Sequence, residues 1–188
     1  QDPRNAGRRM IENTIVIFTS DNGAEKNDDI ATGPFRSHKG SCYEGGHRVP
    51  FIVAWPAGAV GDGNDQTSGR TSQQLLGLTD LFATFSEVLG VDLPDNANGE
   101  KGGEDSLSVL SALRGRSEEH RPLFFNDHKE AKADHAVVVL RLDDPVIDAE
   151  SFPGQWKLFF DASLLRAGEL NPVELYDLAT DSKETDNR

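Results

Sequence analysis

The stretch TIVIFTSDNG, residues 14–23, decides the fold class of this chain. The β-branched and aromatic residues of TIVIFTS (14–20) predict a strand. Apolar side chains lie on both faces of that strand, which is typical of a strand inside a parallel sheet that is covered on two sides. Asp21-Asn22-Gly23 is a turn sequence that ends the strand abruptly. We therefore expect an α/β domain with polar side chains at the carboxyl end of a central strand.

The segments that follow extend this α/β pattern. Residues 49–55 form a second apolar strand. Apolar residues at helical spacing predict a helix over 75–89, with Ser72 as its N-cap and Gly90 at its end. A shorter helix is predicted over residues 106–113. These elements would cover a parallel sheet in the usual α/β manner.

The character of the sequence changes after Arg121. Turn-rich connections there separate four short strand candidates, at residues 123–125, 136–142, 156–160 and 173–178. Strands spaced in this way predict a small antiparallel sheet. We therefore assign residues 1–115 to the α/β domain and 116–188 to a small antiparallel four-stranded subdomain.

Composition argues against several classes of partner. The chain of 188 residues has 19 Lys and Arg against 32 Asp and Glu, a net charge of -13. Such a chain repels phosphate backbones and anionic lipids, so nucleic acid and membrane surfaces are not expected partners. No apolar run approaches the roughly 18 residues that a membrane span requires. The single cysteine, Cys42, excludes an internal disulfide framework, and the start at Gln1 leaves the cellular compartment unknown.

Asp21 and Asn22 are the first candidate site residues. They follow the carboxyl end of the predicted strand, where open α/β sheets bind ligands. A carboxylate beside an amide oxygen offers hard ligands that suit Ca²⁺ or Mg²⁺ better than zinc. The alternative is that Asp-Asn-Gly is only a turn, as most such triplets are.

A basic loop follows in this acidic chain. Between residues 36 and 48, Glu44 is the only acidic residue, whereas the basic ones are Arg36, His38, Lys39, His47 and Arg48. A positive pocket in a negative protein suits a small anion. Lys39 could neutralise charge that develops on an ester oxygen. The alternative is a solvated loop whose basic side chains pair with nearby carboxylates.

A set of short motifs runs in order along nearly the whole chain. They are TSDNG (19–23), GPFR (33–36), KG (39–40), YEGGHRVPF (43–51), WP (55–56), TDL (79–81), EDSL (104–107), QWKL (155–158), ELYDL (174–178) and DSKE (181–184). No single motif is decisive, but the ordered set resembles type I, formylglycine-dependent sulfatases of the alkaline phosphatase superfamily. The resemblance favours a binding role over both alternatives above. It implies the C-terminal portion of an alkaline-phosphatase-like α/β/α sandwich, followed by the small antiparallel subdomain.

The resemblance also implies roles for individual residues. Asp21 and Asn22 match calcium ligands, and the family's Asp at this place also lies close to the nucleophile. Lys39 matches the lysine that contacts the sulfate group and helps the ester oxygen leave. Arg36 and His38 border the pocket and are candidates for substrate binding.

The nucleophile is the main departure from the family pattern. The family makes its formylglycine from the cysteine of a Cys-x-Pro-Ser-Arg motif, which this chain does not contain. Cys42 precedes Tyr43-Glu44-Gly45, so we interpret it as a small loop residue. The resemblance therefore implies that the formylglycine belongs to a missing N-terminal half and that this chain alone is inactive. Glu44 is expected to anchor the loop through backbone hydrogen bonds.

The resemblance implies a sulfated small molecule or glycan as substrate, and a periplasmic, secreted or lysosomal location. One rival is a phosphate or phosphonate ester hydrolase of the same superfamily. Many of those carry a histidine where Asn22 stands, because they bind zinc or manganese. A second rival is a non-catalytic glycan-binding module, in which Trp156, His128 and His135 would grip a sugar. Packing of Trp156 inside the subdomain is the simpler interpretation of that residue.

Overall fold

The computed structural model of this chain describes residues 3, 6–7, 9–26, 31–64, 66–94, 98–116, 122–126, 135–141, 155–161, 164 and 167–188. The strands are β1 (Val16–Thr19), β2 (Phe51–Ala54), β3 (Leu123–Asn126), β4 (His135–Arg141), β5 (Gln155–Asp161) and β6 (Pro172–Asp177). The α-helices are α1 (Glu44–His47), α2 (Asp80–Leu89) and α3 (Leu110–Leu113), and short 3₁₀ helices lie at Met10–Asn13 and Pro56–Gly58. None of the described helices is long and apolar enough to cross a bilayer.

The chain divides into two compact units. The first unit joins Gln1–Thr19 to Phe51–Glu119, and the second joins Ser20–Pro50 to His120–Arg188. The sequence predicts a boundary near residue 116, whereas the second unit also takes in residues 20–50, which group with the C-terminal strands. The physical reason is that side chains of this loop bind those strands, as described below.

The sheet of the first unit differs from the prediction. β1 and β2 are antiparallel, with Phe18 opposite Ile52, so the expected parallel pairing is not what the described residues show. In the described part of the connection, residues 20–26 and 31–50, the only helix is the four-residue α1, which is shorter than the crossover that parallel strands need. Side chains of β1 and β2 alternate between exposed and half-buried, and one apolar face of this ribbon is exposed.

Helix α2 begins five residues later than predicted, at Asp80 instead of residue 75. The Asp80 carboxylate is fully buried. It accepts hydrogen bonds from the backbone N–H groups of Gly77 (2.8 Å) and Leu107 (3.0 Å). These bonds hold the preceding segment in an irregular conformation and start the helix at Asp80. The predicted end is correct, because Gly90 takes the left-handed conformation with φ 64°.

Helix α3 is shorter than predicted because Ser106 forms hydrogen bonds to α2 and to Thr79, the residue before α2. The Ser106 hydroxyl donates to Thr79 O (2.7 Å) and accepts from the Ala83 N–H (2.9 Å). These contacts favour a non-helical backbone at Ser106. Close by, α2 and α3 pack together. The buried apolar residues of this unit are Val60, Ala83, Val109, Leu110 and Ala112.

The second unit contains a four-stranded antiparallel sheet in the order β3-β4-β5-β6. The strands lie at the four positions that the sequence indicates, with ends that differ by at most one residue. Lys157 and Phe159 lie two residues apart in β5, and both side chains are on the buried face of the sheet. Phe159 and Tyr176 form an edge-to-face pair with ring centroids 5.8 Å apart. This buried face supports the loop of residues 20–50.

Candidate functional site

The loop that follows β1 is folded tightly through its glycines. Gly23 N–H donates to Gly46 O (2.9 Å), and Gly45 N–H donates to Arg36 O (2.8 Å). A Cβ on Gly23 would lie 1.8 Å from Gly45 O, which no side chain can tolerate. Glycine at these positions therefore allows the backbone on either side of the loop to touch. The sequence identifies Gly23 only as part of the turn that ends the first strand.

Asp21 and Asn22 lie at the start of this loop. Asn22 Nδ2 donates to Asp21 Oδ1 at 3.0 Å, so the two side chains lie side by side. The Ser20 hydroxyl donates to Asn22 O (3.0 Å) and fixes the backbone of the turn. The Asp21 carboxylate and the Asn22 side-chain amide are thus adjacent immediately after β1, in contact through the amide nitrogen.

Lys39 is brought next to the same turn by the backbone. Its N–H donates to Ala24 O (2.9 Å). Its ammonium lies 2.5 Å from Glu25 Oε1, in a pair whose side chains are 47% and 73% exposed. The hydrogen bond and charge of Glu25, with a smaller contribution from Asp21, raise the pKa of Lys39. Lys39 therefore keeps its positive charge at neutral pH, beside the Asp21-Asn22 turn.

Arg36 and His38 lie on the loop before Lys39. Arg36 Nη1 donates to the Tyr176 hydroxyl (3.1 Å) and to Glu184 O (2.9 Å). Its guanidinium also lies over the Tyr43 ring, 3.7 Å from the centroid. His38 Nδ1 lies 3.1 Å from Lys39 O. Arg36 thus ties the loop to the C-terminal segment, and a substrate-binding role for Arg36 and His38 stays a prediction.

The metal-ligating groups of the described residues form only a partial site. Within those residues, no cluster of three or more His, Cys, Asp or Glu side chains could hold a metal ion. Asp21 and Asn22 offer one carboxylate and one amide, which match the hard oxygen donors that calcium prefers. They fit two positions of a calcium shell that needs six to eight oxygens.

Cys42 and Trp156 fit structural roles in the second unit. Cys42 is only 2% exposed, so its thiol is poorly placed to act as a nucleophile. Trp156 is half-buried in β5, opposite Asp177 of β6. His128 lies outside the described residues, and His135 is the first residue of β4. The sugar-binding alternative considered above therefore stays a prediction.

Sequence reasoning missed a buried ion cluster beneath the loop. Glu44 anchors the loop through its side chain and not only through backbone bonds, since its carboxylate binds Lys157 (2.9 Å) and Arg48 (3.1 Å). Lys157 also lies 2.7 Å from Glu184 Oε1. The available signal was a lone lysine two residues before Phe159 in an apolar strand, on the same face.

Comparisons with known proteins identify the family. The sulfatase family model matches residues 8–91. A sulfatase from Formosa agariphila is 32% identical over 191 residues, which cover 100% of this chain and 31% of that protein. The chain belongs to the sulfatase family. The site residues Asp21, Asn22 and Lys39 all lie inside the segment that the family model matches.

Other sulfatases also match this chain over only part of their own length. The N-acetylgalactosamine-6-sulfatase of Canis lupus familiaris is 37% identical over 121 residues, 62% of this chain and 21% of that enzyme. The crystal structure of a sulfatase from Pseudoalteromonas sp. matches with a TM-score of 0.55 and 22% identity, over 94% of this chain and 33% of that one. This last match shows the fold alone. The chain thus spans about a third or less of the length of these relatives.

Proposed function

We propose that this chain forms the part of a sulfatase active site that binds a calcium ion and the sulfate group of a sulfate ester. The observation that carries the proposal is one glycine-packed loop that presents Asp21 and Asn22 at its start and Lys39 beside them. The substrate class is a sulfated glycan or an aryl sulfate, in keeping with relatives named for N-acetylgalactosamine-6-sulfate. The location of the whole protein, periplasmic, secreted or lysosomal, is part of the same proposal.

Asp21 and Asn22 would hold the calcium ion through their side-chain oxygens. When bound, calcium supplies Lewis-acid chemistry that polarises the oxygens of the sulfate group. The remaining ligands and the attacking group, a formylglycine, would come from outside these 188 residues. Hydrolysis then breaks the sulfur–oxygen bond of the ester and yields the alcohol and inorganic sulfate.

Lys39 would bind a sulfate oxygen and stabilise the charge that develops on the departing ester oxygen. Its raised pKa supports this role, because the ammonium stays charged throughout the neutral range. Its pair with Glu25 does not oppose the role. An exposed pair of this kind contributes only about 0–1 kcal/mol, so a sulfate group can replace the carboxylate. Arg36 and His38 would border the same pocket.

The test uses the full-length protein and an aryl sulfate substrate. We expect Asp21→Ala to abolish calcium-dependent hydrolysis and Lys39→Ala to lower kcat/KM by about 10²–10³-fold, as loss of one charge-stabilising donor does elsewhere. Lys26→Ala is the matched control, because Lys26 is an exposed lysine of the same loop. Unchanged activity in Asp21→Ala would remove the metal assignment. A requirement for two transition-metal ions would favour the phosphate-ester hydrolase instead.

A further inference from the structure

Lys157 of β5 is fully buried, and its ammonium contacts three polar side chains. Its ammonium lies 2.9 Å from Glu44 Oε1, 2.7 Å from Glu184 Oε1 and 3.0 Å from His47 Nε2. The contact with Glu44 is a hydrogen bond as well as an ion pair, whereas the contact with Glu184 is an ion pair. A charge with no exposed surface is tolerated only when it is paired and hydrogen-bonded in this way.

The two carboxylates extend the cluster to the loop and to the C-terminal segment. Glu44 Oε2 accepts from Arg48 Nη1 (3.1 Å), and Glu184 Oε2 accepts from the Glu44 N–H (2.7 Å). Burial and the charge of Lys157 lower the pKa of His47 to about 4. The imidazole is therefore neutral at pH 7, and its Nε2 lies between the Lys157 ammonium (3.0 Å) and the Cys42 carbonyl oxygen (3.1 Å). The buried Lys157 and the exposed Arg48 together face the two buried carboxylates.

The cluster lies one residue from the glycines that pack the candidate site. Glu44 begins α1, and Gly45 and Gly46 follow it. Gly46 O accepts from the N–H of Gly23, the residue after Asn22. Gly45 N–H donates to Arg36 O, three residues before Lys39. A displacement of α1 would therefore move both parts of the site.

We propose that Lys157 is a positioning residue of the candidate sulfatase site. Its ammonium binds Glu44 and Glu184 and so fixes the position of α1. Through the backbone hydrogen bonds of Gly45 and Gly46, α1 in turn fixes the positions of the Asp21-Asn22 turn and the Lys39 segment. Lys157 does not touch substrate in this proposal. The role in hydrolysis rests on the proposed function, whereas the effect on the loop can be measured independently of activity.

The test compares three variants of the full-length protein. Lys157→Met removes the ammonium and leaves two buried carboxylates without their partner. The triple variant Glu44→Gln, Lys157→Met, Glu184→Gln removes all three charges, so it leaves none of them buried and uncompensated. Lys183→Met is the matched control, because Lys183 is exposed beside Glu184. The readouts are amide hydrogen exchange, thermal unfolding, and kcat and KM for an aryl sulfate.

We expect faster exchange at the amides of Gly23, Lys39 and Gly45 in both Lys157 variants. We expect kcat/KM to fall about 10–100-fold, as a small displacement of catalytic groups does elsewhere, mainly through kcat. The triple variant should recover thermal stability without recovering activity. It leaves no buried charge unpaired, but it lacks the ammonium that connects Glu44 to Glu184. The Lys183→Met protein should match the wild type in all readouts.

Two outcomes would overturn the proposal. A triple variant with wild-type exchange and activity would mean that the cluster only balances charge. Failure of both Lys157 variants to fold would make the bridge a requirement for folding instead of for positioning. A failure of the proposed function gives a different result. In that case Lys39→Ala keeps full activity, while hydrogen exchange at the amides of Gly23 and Lys39 is still faster in the Lys157 variants.

Discussion

At the scale of single residues, glycine decides how closely the loop packs. A Cβ on Gly23 would lie 1.8 Å from Gly45 O, one on Gly45 would lie 2.3 Å from Ser37 O, and one on Gly46 would lie 2.0 Å from Ser41 O. All three obstacles are backbone atoms, which cannot turn aside as a flexible side chain does. The loop therefore has one tight arrangement, in which Asp21-Asn22 and Lys39 are neighbours.

The first prediction follows from this contact. Gly23→Ala in the full-length protein should push the Asp21-Asn22 turn away from α1, because the new methyl group and Gly45 O cannot occupy the same space. We expect weaker calcium binding by titration calorimetry and a loss of sulfatase activity of about 10-fold or more.

Gly69→Ala is the matched control for this substitution. Nothing lies within 4 Å of a Cβ built on Gly69, and its backbone is not left-handed. The control should behave like the wild type. Wild-type calcium affinity in Gly23→Ala would show that the tight contact does not determine the site.

At the scale of elements, the β1–β2 ribbon exposes an apolar surface. Phe18 and Ile52 face each other across the two strands and are 64% and 62% exposed. A two-stranded ribbon has little stability of its own in water. Its exposed apolar face also favours association with another chain.

The second prediction is that the purified 188-residue chain associates with itself. Sedimentation velocity should show species larger than the monomer, and Phe18→Thr with Ile52→Thr should shift the distribution toward the monomer. Leu170→Thr is the control, because Leu170 is 74% exposed but lies in the second unit, in the loop before β6. A wild-type chain that stays monomeric at every concentration would contradict the prediction.

At the scale of the whole molecule, the proposed site is incomplete in this chain. Asp21 and Asn22 would supply two of the six to eight oxygens that calcium requires, and the sequence contains no Cys-x-Pro-Ser-Arg motif for the nucleophile. Positioning groups without an attacking group stabilise charge but form no new bond.

The third prediction is that the 188-residue chain by itself does not hydrolyse sulfate esters. Release of product from an aryl sulfate should equal that of the Lys39→Ala chain, and calcium should not increase it. Turnover by the wild-type chain above the Lys39→Ala level would refute this expectation. It would also mean that the chain carries a nucleophile other than formylglycine.

The sequence alone determined the family, the candidate residues Asp21, Asn22 and Lys39, and the positions of the C-terminal strands. These features are local: motifs in a fixed order, turn residues and strand-length apolar runs are all visible within a few residues. The start of α2 was not visible in this way, because Asp80 forms its bond to Leu107 from 27 residues away.

Only the tertiary structure decided that residues 20–50 belong with the C-terminal strands and that Lys157 lies beneath them. Lys157 and Glu44 are 113 residues apart in sequence, and a lysine in a strand is usually a solvated side chain. The complete burial of Lys157 and the identity of its ionic partners follow from how the loop packs on the sheet. That packing depends on long-range contacts that neither periodicity nor composition contains.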